Sequence, residues 1–243
     1  MQSNLTWSKA LGTGALVQAT SGFTADDAFN LNEMYGPQFY NRKFVYNVFF
    51  VYAPPFYKSQ TGMMGRLLGG WTFSPIFTTG SGQPLQVWPG PNFTTQAFGE
   101  GDSNDNYLSL ESAVPIGPLP AHGRAYYNAP GAGGFPSIFK NGTGAVSSCR
   151  DPILGLDTRD TSYLTGLPYW NLDFSIRKSV RVAESVSTEF QAVFVNVLNH
   201  NQWLDPGQPW GLAFGSSFGT LLGSAQENLG GNRAIQVAAR VRF

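Results

Sequence analysis

Charge is scarce in this chain. Lys+Arg and Asp+Glu number 15 each in 243 residues, so charged side chains make up 12%, about half the share in soluble domains. The balance leaves no basic excess to hold nucleic acid and no acidic tail. Cysteine occurs once, at Cys149, which excludes an internal disulfide and a cysteine-built zinc site. No apolar run reaches the roughly 18 residues of an ordinary transmembrane helix; barrel strands alternate and escape that test. Neither a basic n-region nor an apolar h-region precedes the strand-like opening at Met1-Gln2-Ser3-Asn4. An exported chain needs such an address, so the expectation is a cytosolic chain or a true amino terminus lying upstream.

Aromatics, by contrast, reach 14%, and glycine numbers 29. Abundant Phe, Tyr, Trp and Gly with little charge suits β structure beside lipid or a large partner, and not disorder. The last ten residues alternate with period two. Ile235, Val237, Ala239, Val241 and Phe243 fall on one face, and Gln236, Ala238, Arg240 and Arg242 on the other. That matches the 9–11 residues a tilted strand needs to cross a bilayer. Asn171 to Val180 sets Leu172, Phe174 and Ile176 against Asn171, Asp173, Ser175 and Arg177. Glu184 to Leu198 sets Phe190, Ala192, Phe194 and Leu198 against Glu189 and Gln191. Lys43 to Tyr52 alternates imperfectly, since Phe49 and Val51 join Asn47 opposite Phe44, Tyr46, Val48, Phe50 and Tyr52. Trp71 to Thr79 carries Pro75, which predicts a bulge. Gln2 to Ala10, with Leu5 and Trp7 against Asn4, Thr6 and Ser8, is the weakest of six predicted strands.

The connections are asymmetric. Arg181-Val182-Ala183 forms a tight hairpin, and residues 54–69 a moderate link with a short helix predicted over Met63 to Leu68. The others, about 11–42, 86–168 and 199–233, are long and rich in Gly, Pro, Asn and Ser. Short turns at one end and long loops at the other are the pattern of outer-membrane barrels. If Phe243 lies at the periplasmic face, every long connection falls outside.

Several segments stand out in order. They are Leu5-Thr6-Trp7-Ser8-Lys9, Asn41-Arg42-Lys43-Phe44-Val45 running on to Ala53-Pro54-Pro55-Phe56, and Leu68-Gly69-Gly70-Trp71-Thr72-Phe73-Ser74 with Thr79-Gly80-Ser81-Gly82-Gln83-Pro84. Pro168-Tyr169-Trp170-Asn171-Leu172-Asp173-Phe174-Ser175, Phe194-Val195-Asn196-Val197-Leu198-Asn199-His200 and Phe218-Gly219-Thr220 follow. Together they resemble the carboxy-terminal barrel of TonB-dependent outer-membrane transporters, in the Oar-like branch that carries a carboxypeptidase-regulatory-like domain. Nothing familiar lies between about Val87 and Thr165. The resemblance implies a plugged 22-stranded barrel driven through an inner-membrane TonB complex. With no plug, no TonB box and only six strands, this chain is expected to be a fragment: all-β, antiparallel, up-and-down, part of a transmembrane barrel over 1–243. Six strands cannot close, and an open sheet leaves unpaired backbone groups in lipid.

On this reading Phe243 is the signal read by barrel-assembly machinery, an aromatic of the interfacial girdle, or both. Trp7, Phe44, Tyr46, Tyr52, Trp71 and Phe190 are lipid-facing anchors, and Asn171, Asp173, Arg177, Glu189, Gln191, Arg240 and Arg242 line a wet lumen as ordinary wall residues. The expected partners are outer-membrane lipid, the assembly machinery, the TonB complex through the missing part only, and a small-molecule, peptide or glycan substrate. Asp102, Asn104 and Asn106 imitate the start of a calcium loop, but Tyr107 stands where glycine is required and Ala113 where Glu is. An exposed Asn/Asp turn is the default there. His122 and His200 lack metal spacing. Ser81 sits in Gly80-Ser81-Gly82, but Thr79 and Gln83 break the nucleophile-elbow pattern. No catalysis and no cofactor are expected. Two rivals stand beside this: several copies pooling strands into an oligomeric pore, and a soluble secreted carbohydrate-binding β-sandwich.

Overall fold

The computed structural model describes residues 1–12, 35–38, 40–85, 114–117, 121–150, 164–183, 186–205, 219–221 and 231–243. In chain order the elements are β1 (Gln2–Trp7), β2 (Leu11–Gly12), β3 (Gly36–Pro37), β4 (Phe44–Phe49), α1 (Gly62–Leu68), β5 (Trp71–Gly80), β6 (Val114–Pro115) and β7 (Ala121–Tyr126). Then come β8 (Ser137–Phe139), a 3₁₀ turn (Gly142–Ser148), β9 (Cys149–Arg150), β10 (Tyr169–Arg181), β11 (Ser187–Val195) and β12 (Ala234–Arg242). Each of the six alternating segments forms a strand. Together they make one antiparallel sheet in the order β1-β4-β5-β10-β11-β12, in which every long strand lies beside its successor.

This up-and-down order places both short connections at one end. Arg181 and Ser187 pair across the β10–β11 hairpin, closed by Val182 N–H donating to the Val186 carbonyl at 2.9 Å. The β4–β5 link contains α1. Met, Arg and Leu favour a helix there, and Gly69 and Gly70 end it. Gly70 takes φ +73°, where a Cβ would stand 2.2 Å from the Ser179 carbonyl oxygen, so only glycine fits. The Gln60 side chain bonds the Ser179 carbonyl and the Arg181 N–H, both at 2.8 Å, fixing the link to β10. The bulge predicted at Pro75 does not form. Phe49↔Ile76 and Tyr52↔Phe73 keep one register past it. The proline costs one ladder bond instead: Phe50 N–H reaches the Pro75 carbonyl at 3.4 Å, and Pro75 has no N–H to return.

The sheet itself encloses no core. Of its strand residues, Gly80 and Tyr169 alone are buried, and every residue of the edge strands β1 and β12 is exposed. Among the described residues no second sheet covers either face. The core lies in the long connections, which the alternation pattern left blank. Leu85, Ile138, Phe139, Ala145, Cys149, Leu164 and Leu221 form one buried cluster, with Leu167 and Trp203 packed against it. β7 pairs with β8, β6 with β9, and Leu221 N–H donates to the Pro136 carbonyl at 2.8 Å. The described parts of the second and third long connections thus fold together as a small cap beyond Gly80 and Tyr169. Burying each large side chain of this cluster contributes about 2 kcal/mol.

Candidate functional site: the two faces of the sheet

Cross-strand pairing decides which side chains share a face. Along β5 and β10, Trp71↔Lys178, Phe73↔Ile176, Pro75↔Phe174 and Phe77↔Leu172 are opposed. Phe174↔Phe194, Ile176↔Ala192 and Lys178↔Phe190 carry that face to β11, and Phe194↔Ile235, Ala192↔Val237 and Phe190↔Ala239 carry it to β12. In the other direction Phe77↔Val48 and Thr79↔Tyr46 lead to β4, and Tyr46↔Leu5 and Phe44↔Trp7 to β1. One apolar face therefore runs unbroken across six strands. It holds all six predicted aromatic anchors, Trp7, Phe44, Tyr46, Tyr52, Trp71 and Phe190. Trp7 stacks on Phe44 with ring centroids 6.5 Å apart, and Phe73 on Trp71 and on Phe174, each at 6.3 Å.

These aromatics divide by height. Trp7, Phe44 and Tyr46 lie toward the long connections; Tyr52, Trp71 and Phe190 lie toward the short ones, where Phe243 ends the chain fully exposed. From Trp71 to Ser81, whose N–H donates to Phe44 O, ten steps of about 3.3 Å span about 33 Å. At a strand tilt of about 40° this projects to about 25 Å, the height of the apolar band on outer-membrane barrels.

Asn171, Asp173, Arg177, Glu189, Gln191, Arg240 and Arg242 all fall on the opposite face, with Arg177 opposed to Gln191 and Glu189 to Arg240. Glu189 is the carboxylate between two guanidiniums, 3.9 Å from Arg177 and 3.7 Å from Arg242. Gln191 Nε2 donates to Ser175 Oγ at 3.2 Å, and Asn171 Nδ2 to Asp173 Oδ1 at 2.8 Å. The face is not purely polar: Val45, Phe49, Ile76 and Val193 share it.

Three groups of residues escaped the sequence reading. Lys178 stands on the apolar face, with Nζ 4.9 Å over the Trp71 ring and donating to the Leu67 carbonyl at 2.9 Å and to the Gly69 carbonyl; its parity with Ile176 is the signal that could have shown it. Asn196, buried at φ +50°, ties the end of β11 to the start of β12. Its Nδ2 donates to the His200 and Gly231 carbonyls at 2.8 and 2.7 Å, and its Oδ1 accepts from His200 N–H at 2.8 Å. Asp205 fastens the cap through Leu167 N–H at 2.7 Å. Burial pushes its carboxyl up to about 6, against the opposing pull of that amide and of Arg42. The family-like segment from Phe194 to His200 flags the place of Asn196 but not its bonds, and nothing local in the sequence marks Asp205.

His200 stacks on Trp170 at 4.0 Å, and burial lowers its imidazole below the usual value. Ser81 Oγ accepts from the Lys43 and Phe44 amides at 2.8 and 3.4 Å. Burial in the cap raises the Cys149 thiol to about 11. Among the described residues no three His, Cys, Asp or Glu side chains converge. Asp102, Asn104 and Asn106 lie outside the described residues, and nothing is described of the His122 side chain.

A family model described as "Outer membrane beta barrel domain" matches residues 1–236. The chain belongs to that family. As an outer-membrane barrel protein it has the all-β antiparallel architecture the alternation predicted, with its six strands in an unclosed sheet. Neither a curated protein nor a solved structure matches it.

Proposed function

We propose that the six strands are a sector of the wall of a TonB-dependent, Oar-like outer-membrane transporter that takes up a scarce nutrient. The apolar face meets lipid, the polar face lines the lumen, and the cap over the long-connection end contributes to substrate capture from outside. The observation that carries this reading is the register, which gathers the apolar positions of all six strands on one side with aromatics about a bilayer's apolar height apart. The ordered segments from Leu5-Thr6-Trp7 to the Asn196–His200 turn support the TonB-dependent branch.

The work is selective binding and gated passage, so no residue acts as a catalyst and no cofactor is required. Among the described residues nothing pairs with the outer edges of β1 and β12, and unpaired backbone costs several kcal/mol per group in hydrocarbon. Further strands must therefore pair with β1 and β12, together with a plug that carries the contact to the energy-coupling complex. Phe243, at the short-connection rim, serves the assembly machinery. The proposal is tested by mild detergent extraction from outer membranes and native mass measurement. Recovery of the strands in one particle with a plug-bearing polypeptide supports it. A homo-oligomer of this chain with no plug refutes it in favour of a shared pore.

A further inference from the structure

We infer that α1 is a membrane-interface anchor, lying in the headgroup boundary of the phospholipid leaflet at the short-connection end of the sheet; this rests on the proposal that the apolar face meets lipid. At 100° per residue, Met63, Met64, Leu67 and Leu68 occupy one arc of about 140°. The opposite side holds Gly62, Gly65 and Arg66. In a helix packed on a soluble core the apolar arc is hidden. Here the reverse holds: Gly65 is buried, and a Cβ there would stand 2.9 Å from the Gln60 carbonyl carbon. Met63 is 87% exposed, and Met64 and Leu67 59% each. The turn before the helix adds exposed Phe56 and Tyr57.

The arc is continuous with the apolar face of the sheet. The Leu67 carbonyl accepts from Trp71 Nε1 at 3.0 Å and from Lys178 Nζ at 2.9 Å, and both residues stand on that face at its short-connection end. Lys178 thus holds its ammonium at the rim of the apolar band, against the carbonyl-rich end of the helix, in the position of a snorkelling lysine. Charge complements the phosphate layer as well. Residues 54–70 contain Lys58 and Arg66 and no acid. An amphipathic helix of this kind buries its apolar side in the boundary and leaves its cations among the headgroups. Short turns of outer-membrane barrels face the periplasm, so the occupant is the inner, phospholipid leaflet.

The test uses the full chain in its native particle, reconstituted in vesicles of phosphatidylethanolamine and phosphatidylglycerol whose acyl chains are brominated either near the glycerol or near their ends. A Cys149→Ala background carries an environment-sensitive fluorophore at Met63→Cys, Arg66→Cys or Val237→Cys. Bromolipid should quench the labels at 63 and 237, and quench position 63 about twofold more than position 66. Quenching at 237 without preference for 63 over 66 overturns the anchor and leaves the lipid-facing sheet intact. No quenching at 237 overturns the reading on which the anchor rests.

Discussion

Replacing Val237 by arginine tests the assignment of faces at one position. Val237 lies mid-way along β12, opposite Ala192 on the apolar face, and is 78% exposed in the chain itself. If that face met water, an arginine on an open edge strand would cost no more than about 0.5 kcal/mol. In hydrocarbon near the bilayer midplane the cost is about 2–4 kcal/mol. Ala238, opposite Gln191 on the reverse face, supplies the internal control. Ala238→Arg adds a solvated side chain to a wall that already carries arginines, at a cost below about 0.5 kcal/mol. The expected gap between the two variants is roughly 1.5–4 kcal/mol, about tenfold or more in the ratio of folded to unfolded protein. Urea unfolding of the native particle reconstituted in phospholipid vesicles, followed by tryptophan fluorescence, measures it. Equal and small losses for both variants would refute the face assignment, whatever the pattern of alternation.

Asn196→Ala removes three hydrogen bonds worth about 1 kcal/mol each and forces alanine into the left-handed region, for about 4 kcal/mol in all. Asn196→Gly, free of that strain, should cost about 1 kcal/mol less in the same urea titration. Asp205 titrates near 6 when folded and near its ordinary 3.8 when unfolded. The folded state therefore binds more protons between these values, and the cap should lose stability as pH rises from about 4 to 6 and then level off; amide exchange at Leu167 across that window, flattened in Asp205→Asn, checks it. Glu189→Gln should cost less than about 1 kcal/mol in thermal unfolding, because the guanidinium partners at 3.7 and 3.9 Å are largely exposed. Cys149 should resist maleimide at neutral pH until denaturant opens the cap, as thiol titration would register.

All six strands, α1, the short hairpin and the division of side chains between faces were legible in the sequence. Period-two alternation is a local property, and a one-residue slip in register would put every apolar side chain on the wrong side. For the same reason the common face of Trp7, Phe44, Tyr46, Tyr52, Trp71 and Phe190 could be named before any neighbour was known. What the pattern could not supply was anything made by residues distant in the chain. Phe139 and Leu221 share a core because two long connections meet, and neither segment alternates. The behaviour of Pro75 depended on its neighbour: a missing N–H is tolerated without a bulge where the adjacent strand keeps its register. Asp205, Asn196 and the bond from Lys178 to the end of α1 take their roles from burial and from partners far away in sequence. Periodicity carries no information about those partners; only the folded chain brings them within reach.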